Sequence, residues 1–153
     1  MVSFLKKIED YVLAILLASL LGYHLIPYHN VTSEVQPYVQ EFQVKMWDKC
    51  TPEQIRPTWQ VSVMVVDDVS HFNKETVGVC HYRLLGFDVT LRRDFWEYLD
   101  DVGKQQLIYH ELLHCYLNVE HENGTIMDAY HIAFTKEHME KQLDYFLDKV
   151  CPK

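Results

Sequence analysis

At 153 residues, 48% of them hydrophobic and 13% aromatic, the chain has apolar mass for one domain with a real core and too little length for two. Its 14 Lys and Arg against 22 Asp and Glu give a net charge of -8, which leaves no basic stripe to hold a phosphate backbone and excludes nucleic acid as an expected partner. The surplus acid reads as a soluble surface that mildly concentrates cations.

Residues 1–26 differ from the rest. Two lysines precede the run "YVLAILLASLLGYHLI" (Tyr11 to Ile26), which has no formally charged residue. As a helix, that run covers about 24 Å, a little short of a hydrocarbon core of about 30 Å. The lysines would hold the N-terminus in the cytoplasm and send the remainder across, so an uncleaved membrane anchor is expected, with a cleaved signal peptide as the alternative. Gly22 interrupts the run, which also keeps a buried core helix open. Residues 27–33 read as a linker, with Thr32 and Ser33 as capping candidates, leading into a domain over residues 34–153.

Within that domain, Val35, Tyr38, Val39, Phe42, Met46 and Trp47 fall close to one helical face and predict an amphipathic core helix over residues 34–49. The prolines of "TPEQIRP" end it. "TWQVSVMVVDD" alternates and is rich in valine, the mark of a strand, and "ETVGVCHYR" and "FDVTLRR" make a hairpin bending at Gly86. His71 and His81, in or beside these strands, read as surface or packing histidines. The helical period returns in "DVGKQQLIYHELLHCYLNVEH", where Ile108, Leu112, Cys115 and Val119 share a buried face and Leu107, His110, His114 and His121 lie on or near another. "RRDFWEYLDD" places Phe95 and Trp96 to pack that helix against the sheet. "FTKEHMEKQLDYFLDKV" closes the chain as a helix capped by Thr135 and buried through Met139, Leu143, Phe146 and Leu147. The order defines an α+β domain behind an N-terminal hydrophobic helix.

Four cysteines lack any C-x-x-C pair, so a zinc ribbon is not indicated. In an exported domain they predict two disulfides. Of three possible connectivities, Cys50 with Cys151 and Cys80 with Cys115 is preferred.

His110 and His114 are four apart, which on a helix stacks their rings on one side, one turn apart, as two nitrogens meeting one zinc require. Glu111 beside the first histidine completes H-E-x-x-H and puts a carboxylate where it can take a proton from metal-bound water. Asn118 tolerates the left-handed backbone that would stop the helix and turn the chain back, with His121 three residues on. Met127 follows in the Gly-introduced loop "GTIMDAY".

This order, in "HELLHCYLNVEHENGTIMDAY", resembles the metzincin clan of zinc endopeptidases, whose motif is H-E-x-x-H-x-x-G-x-x-H followed by a Met-turn. The resemblance implies a small mixed sheet, a zinc-binding active-site helix and a C-terminal helix. It implies Zn2+ held by His110, His114 and His121, Glu111 as catalytic base and Met127 as the Met-turn residue. The chain departs from the clan in two respects: six residues instead of five separate the second and third histidines, and Asn118 replaces the turn glycine. Glu120, Asp128 and His131 therefore stand as alternative third ligands. Tyr130 lies three past Met127, an offset that reads as a packing tyrosine.

The expected activity is hydrolysis of peptide bonds through a zinc-bound water activated by Glu111, in a membrane-tethered extracytoplasmic endopeptidase. An extended peptide would pair with an edge strand drawn from "TVGVCHYR" or "FDVTLRR". A catalytically inactive, zinc-stabilised module of an envelope or virus-particle assembly is the alternative. A small helical membrane protein whose histidines carry no function is the third reading.

Overall fold

A computed structural model describes residues 12–15, 28–67, 76–130 and 133–152. Four strands, β1 (Tyr28–Val31), β2 (Gln60–Val66), β3 (Gly78–Arg83) and β4 (Gly86–Arg92), form one sheet in the order β1-β2-β4-β3. β1 with β2 and β2 with β4 are parallel, while β3 and β4 form the expected antiparallel hairpin. Alternation decides which face is buried. Val61, Val63 and Val65 stand in register with Phe87, Val89 and Leu91, and all six are buried, so one face of the central strands is apolar. Gly86 sits opposite Gln60, where a Cβ would collide with the Gln60 carbonyl, so the tight entry into β4 requires glycine.

The helices are α1 (Gln36–Lys49), the short α2 (Arg93–Tyr98), α3 (Asp101–Leu117) and α4 (Lys136–Val150), with a 3-10 turn at Pro52–Gln54. α3 starts on the Asp100 side chain, which accepts from the Gly103 N–H at 2.8 Å. It lies between the sheet and the other helices, which explains why most of its side chains are buried rather than a single stripe. Tyr116 joins three elements: its ring stacks on Phe42 of α1 at 5.8 Å and meets Phe87 of β4 edge-on at 4.7 Å. α4 buries Met139, Leu143, Phe146 and Leu147 behind a Thr135 cap, as its period predicts. Both expected disulfides form. Cys50–Cys151 joins the ends of α1 and α4, and Cys80–Cys115 ties β3 to α3.

Several expectations are corrected. Within the stretch read as a linker, Tyr28–Val31 is a strand, because β2 offers it a parallel hydrogen-bonding edge that four residues of sequence cannot reveal. α1 begins at Gln36 rather than residue 34, and neither Thr32 nor Ser33 caps it by side chain; the Thr32 carbonyl accepts from Val35 and Gln36 instead. Trp47 is 50% exposed, since it sits about 100° around the helix from the buried Met46. Arg93 opens α2, a separate short helix, rather than ending a strand. Trp96 packs edge-on against Tyr38 of α1 at 5.9 Å and lies under the Lys104 ammonium of α3, so it wedges helix against helix.

Among the described residues, no helix is long and apolar enough to cross a membrane. Of the uncharged run at residues 11–26, only 12–15 are described, and they are helical with Val12, Leu13 and Ile15 exposed. His71 also lies outside the described residues.

Candidate metal centre

α3 projects His110 and His114 to one side, one turn apart. Asn118 then adopts the left-handed conformation expected of it (φ 55°, ψ 36°), its N–H donating to the His114 carbonyl at 3.0 Å and that of Val119 to Leu113 at 3.2 Å. The chain reverses and His121 comes back over the helix. The three Nε2 atoms converge, 3.1 Å apart for His110 and His114, 3.2 Å for His114 and His121, and 3.3 Å for His121 and His110. Three nitrogens held tetrahedrally at about 2.0–2.1 Å from one zinc lie about 3.3 Å from each other. The spacing therefore fits a common ion, and these three are the cluster among the described residues that could hold one.

Backbone carbonyls orient two of the rings. His110 Nδ1 donates to the Ile126 carbonyl at 2.9 Å and His114 Nδ1 to the Val119 carbonyl at 2.5 Å. A proton on Nδ1 leaves the Nε2 lone pair free for a metal. Burial pushes the His114 pKa down, as does the neighbouring His121, against the opposing effect of the Val119 carbonyl; the net result favours the neutral, ligating imidazole.

Glu111 is 4% exposed and lines the same cleft. Burial pushes its carboxyl up from 4.5 to about 8, and a cation beside it would favour the charged form again. Its carboxylate lies against the backbone of β3, where a Cβ on Gly78 would stand 2.9 Å from the carboxyl carbon. No side chain other than hydrogen leaves that space. The cleft encloses about 810 Å³ between β3, α3 and the loop from Asn118 to Tyr130. β3 is an edge strand and lines it, while β4 lies inside the sheet.

The proposed alternatives for a third ligand fare differently. Asp128 has both oxygens engaged, accepting from the Gly124 N–H at 2.6 Å and the Tyr130 N–H at 2.9 Å, and these bonds hold its carboxyl below the usual range. Glu120 is exposed at the cleft, outside the three-histidine cluster. His131 lies outside the described residues. Met127 is fully buried next to Ile126, and its carbonyl accepts from the Glu122 N–H at 2.9 Å. Tyr130, expected to pack, is 75% exposed at the cleft, because the Asp128-centred turn sends the chain outward there.

Two features escaped the sequence reading. Gly78 carries the one local signal, since a glycine inside a strand marks a close backbone approach. The Tyr82 hydroxyl donates to the His114 carbonyl at 2.6 Å, and the Arg56 guanidinium lies 4.0 Å over the Tyr82 ring while donating to the Asn118 side chain. That brace joins three distant segments, and no spacing within one segment announces it.

The fold is thus an α+β domain whose central helix carries two of three converging histidines beside a buried acid, a cluster that could hold a metal ion in an open cleft. Residues 61–143, more than half of the chain, match the family described as "Putative phage metallopeptidase", and the chain belongs to that family of metallopeptidases. No curated protein and no solved structure matches the chain significantly.

Proposed function

We propose that the chain is a zinc-dependent endopeptidase in which His110, His114 and His121 hold the metal and Glu111 is the catalytic base. The observation that carries this reading is the 3.1–3.3 Å spacing of the three Nε2 atoms with the Glu111 carboxylate in the same cleft. Bound there, zinc supplies Lewis acidity, making water acidic enough to ionise near neutral pH and drawing electron density from a carbonyl.

The protein's own groups do the rest. The edge strand β3 offers backbone N–H and C=O groups to an extended peptide, which then lies along the cleft. Glu111 accepts the proton that the attacking water gives up and passes it to the departing amine, so no covalent enzyme intermediate forms. The carbonyls of Ile126 and Val119 keep two imidazoles from turning away. The metzincin-like reading is part of the proposal: the left-handed Asn118 turn and the fully buried Met127 six residues after His121 support it.

Two disulfides favour an oxidising compartment, and with the phage family they support an extracytoplasmic or virion location. A tether through residues 11–26 rests on their apolar sequence; release of the full chain from membranes by alkaline carbonate would rule it out.

The test is elemental analysis together with a peptide-library digest. One zinc per chain and cleavage that chelation abolishes are expected, with Glu111→Gln retaining zinc and losing cleavage. A Glu111→Gln chain that cleaves like the parent refutes the assigned base. Zinc without any cleavage would leave the metal-stabilised structural module as the reading.

A further inference from the structure

The cleft extends beyond the histidines. Gly78 faces Glu111 and Cys80 is bonded to Cys115, so β3 and α3 run alongside one another in the same direction. Two strand residues advance about 6.6 Å and four helix residues about 6 Å. Two residues back from Gly78, Thr76 therefore stands beside Gln106 and Leu107, and all of these line the cleft. Gln106 lies one turn before His110 on the same helix face.

Gln106 is 3% exposed, and its Oε1 is buried with no hydrogen-bond partner. A buried carboxamide oxygen is ordinarily satisfied, and leaving one unpaired is costly. Val77 and Leu107 are apolar walls of this end of the cleft, Thr76 is the polar residue beside them, and no described group donates to the Gln106 oxygen. Among the described residues no Lys or Arg lines the cleft, so none of them supplies a cationic donor to that oxygen. One helical turn is about 5.4 Å, and an extended peptide advances about 3.3 Å per residue. A side chain entering this end thus belongs to a residue flanking a bond held at the histidines.

We propose that Gln106 is a specificity-determining residue, whose carboxamide oxygen accepts a hydrogen bond from the substrate side chain next to the scissile bond. The enzyme then selects residues bearing a donor (amide, hydroxyl or ammonium) over apolar residues of the same shape. This rests on the endopeptidase reading. The physical basis is that a polar group built into an apolar pocket penalises a ligand that leaves it unpaired more strongly than an apolar pocket penalises a missing methylene.

The experiment uses zinc-loaded full-length protein and extended peptides varied at one position on each side of the cleaved bond, in the pairs Asn and Leu, Thr and Val, and Lys and norleucine. Two readouts run together: kcat/KM in the parent, and equilibrium binding of the same peptides to zinc-loaded Glu111→Gln. The expected result is a preference of about tenfold or more for the donor-bearing member at one position. Gln106→Leu should remove or invert that ratio. Gln106→Glu, which keeps the acceptor and adds charge, should raise the ratio of Lys to norleucine and serves if the leucine variant does not fold. Parent cleavage or binding with ratios that neither variant changes overturns the role of Gln106 and leaves the endopeptidase standing. Absence of both cleavage and binding across the whole series overturns the endopeptidase reading and this inference with it.

Discussion

Gly78→Ala tests the placement of Glu111 by adding one methyl group. Carbon atoms in ordinary contact sit about 3.5–4.0 Å apart. The new Cβ would stand 2.9 Å from the Glu111 carboxyl carbon, so the carboxyl must retreat by roughly 0.6–1.1 Å. The Gly78 backbone is that of an ordinary strand residue, and glycine to alanine in such a position adds about 0.4–1 kcal/mol of stability through the unfolded chain. Melting should therefore change little. A displacement of about 1 Å at a catalytic group costs on the order of 100-fold in rate, so kcat/KM should fall by about that factor with zinc content unchanged. The assay pairs a fluorogenic peptide with metal analysis and a thermal melt. In a Glu111→Gln background the alanine should cost nothing further, because the group it displaces is already disabled. Parent-like activity in Gly78→Ala would refute either the packing of that carboxylate or its role as base.

Further predictions concern pH, the brace and the disulfides. In the zinc-free protein, Glu111 has a folded pKa raised to about 8 from 4.5, so its contribution to stability is full below 4.5 and lost as pH rises through about 8. Urea midpoints should accordingly fall as pH rises from 4.5 towards about 8 and level off above it, and Glu111→Gln should flatten that slope. Tyr82→Phe removes the 2.6 Å bond to the His114 carbonyl and should cost about 1 kcal/mol, a drop in Tm of a few degrees, with weaker zinc binding. Replacing Cys50 and Cys151 opens a loop of sequence separation 101 and should cost about 4–5 kcal/mol, while activity below the lowered Tm persists. Replacing Cys80 and Cys115, separation 35, should cost about 4 kcal/mol and also depress activity, because that bond fixes the β3 wall of the cleft.

What could be read from the sequence was whatever is encoded within one segment. The face of α4 follows from the spacing of Met139, Leu143, Phe146 and Leu147, and the left-handed turn at Asn118 from its short polar side chain after a helical run. His110 and His114 face together because four residues make about one turn. β1 escaped because its four residues become a strand only through the hydrogen bonds β2 offers. Tyr130 was misread for a related reason: its direction is set by Asp128 two residues earlier, whose carboxylate organises the turn. Gly78 and Gln106 acquire meaning only once β3 lies along α3, a register fixed by packing and by Cys80–Cys115 rather than by any local pattern.

The third histidine depends on a different kind of support from the other two. His110 and His114 ride on a buried helix, whereas His121 sits on a loop whose closure comes from the Glu122 N–H bonded to the Met127 carbonyl and the Thr125 N–H bonded to Glu122. Lys149 of α4 also meets Glu122 at 2.7 Å, but that pair is exposed and screened, so Lys149→Ala should leave zinc binding nearly intact. The weight falls on Met127, which is fully buried in the core cluster and whose carbonyl closes the loop. Met127→Ala should cost about 2–5 kcal/mol and weaken zinc binding well beyond any effect of Lys149→Ala, because the cavity loosens the turn that presents His121. Met127→Leu conserves volume and should cost less than about 1.5 kcal/mol, with zinc affinity close to the parent in a chelator-competition titration. If the leucine variant folds and melts like the parent but loses the metal, the thioether itself acts on the centre, and the packing account of this turn is wrong.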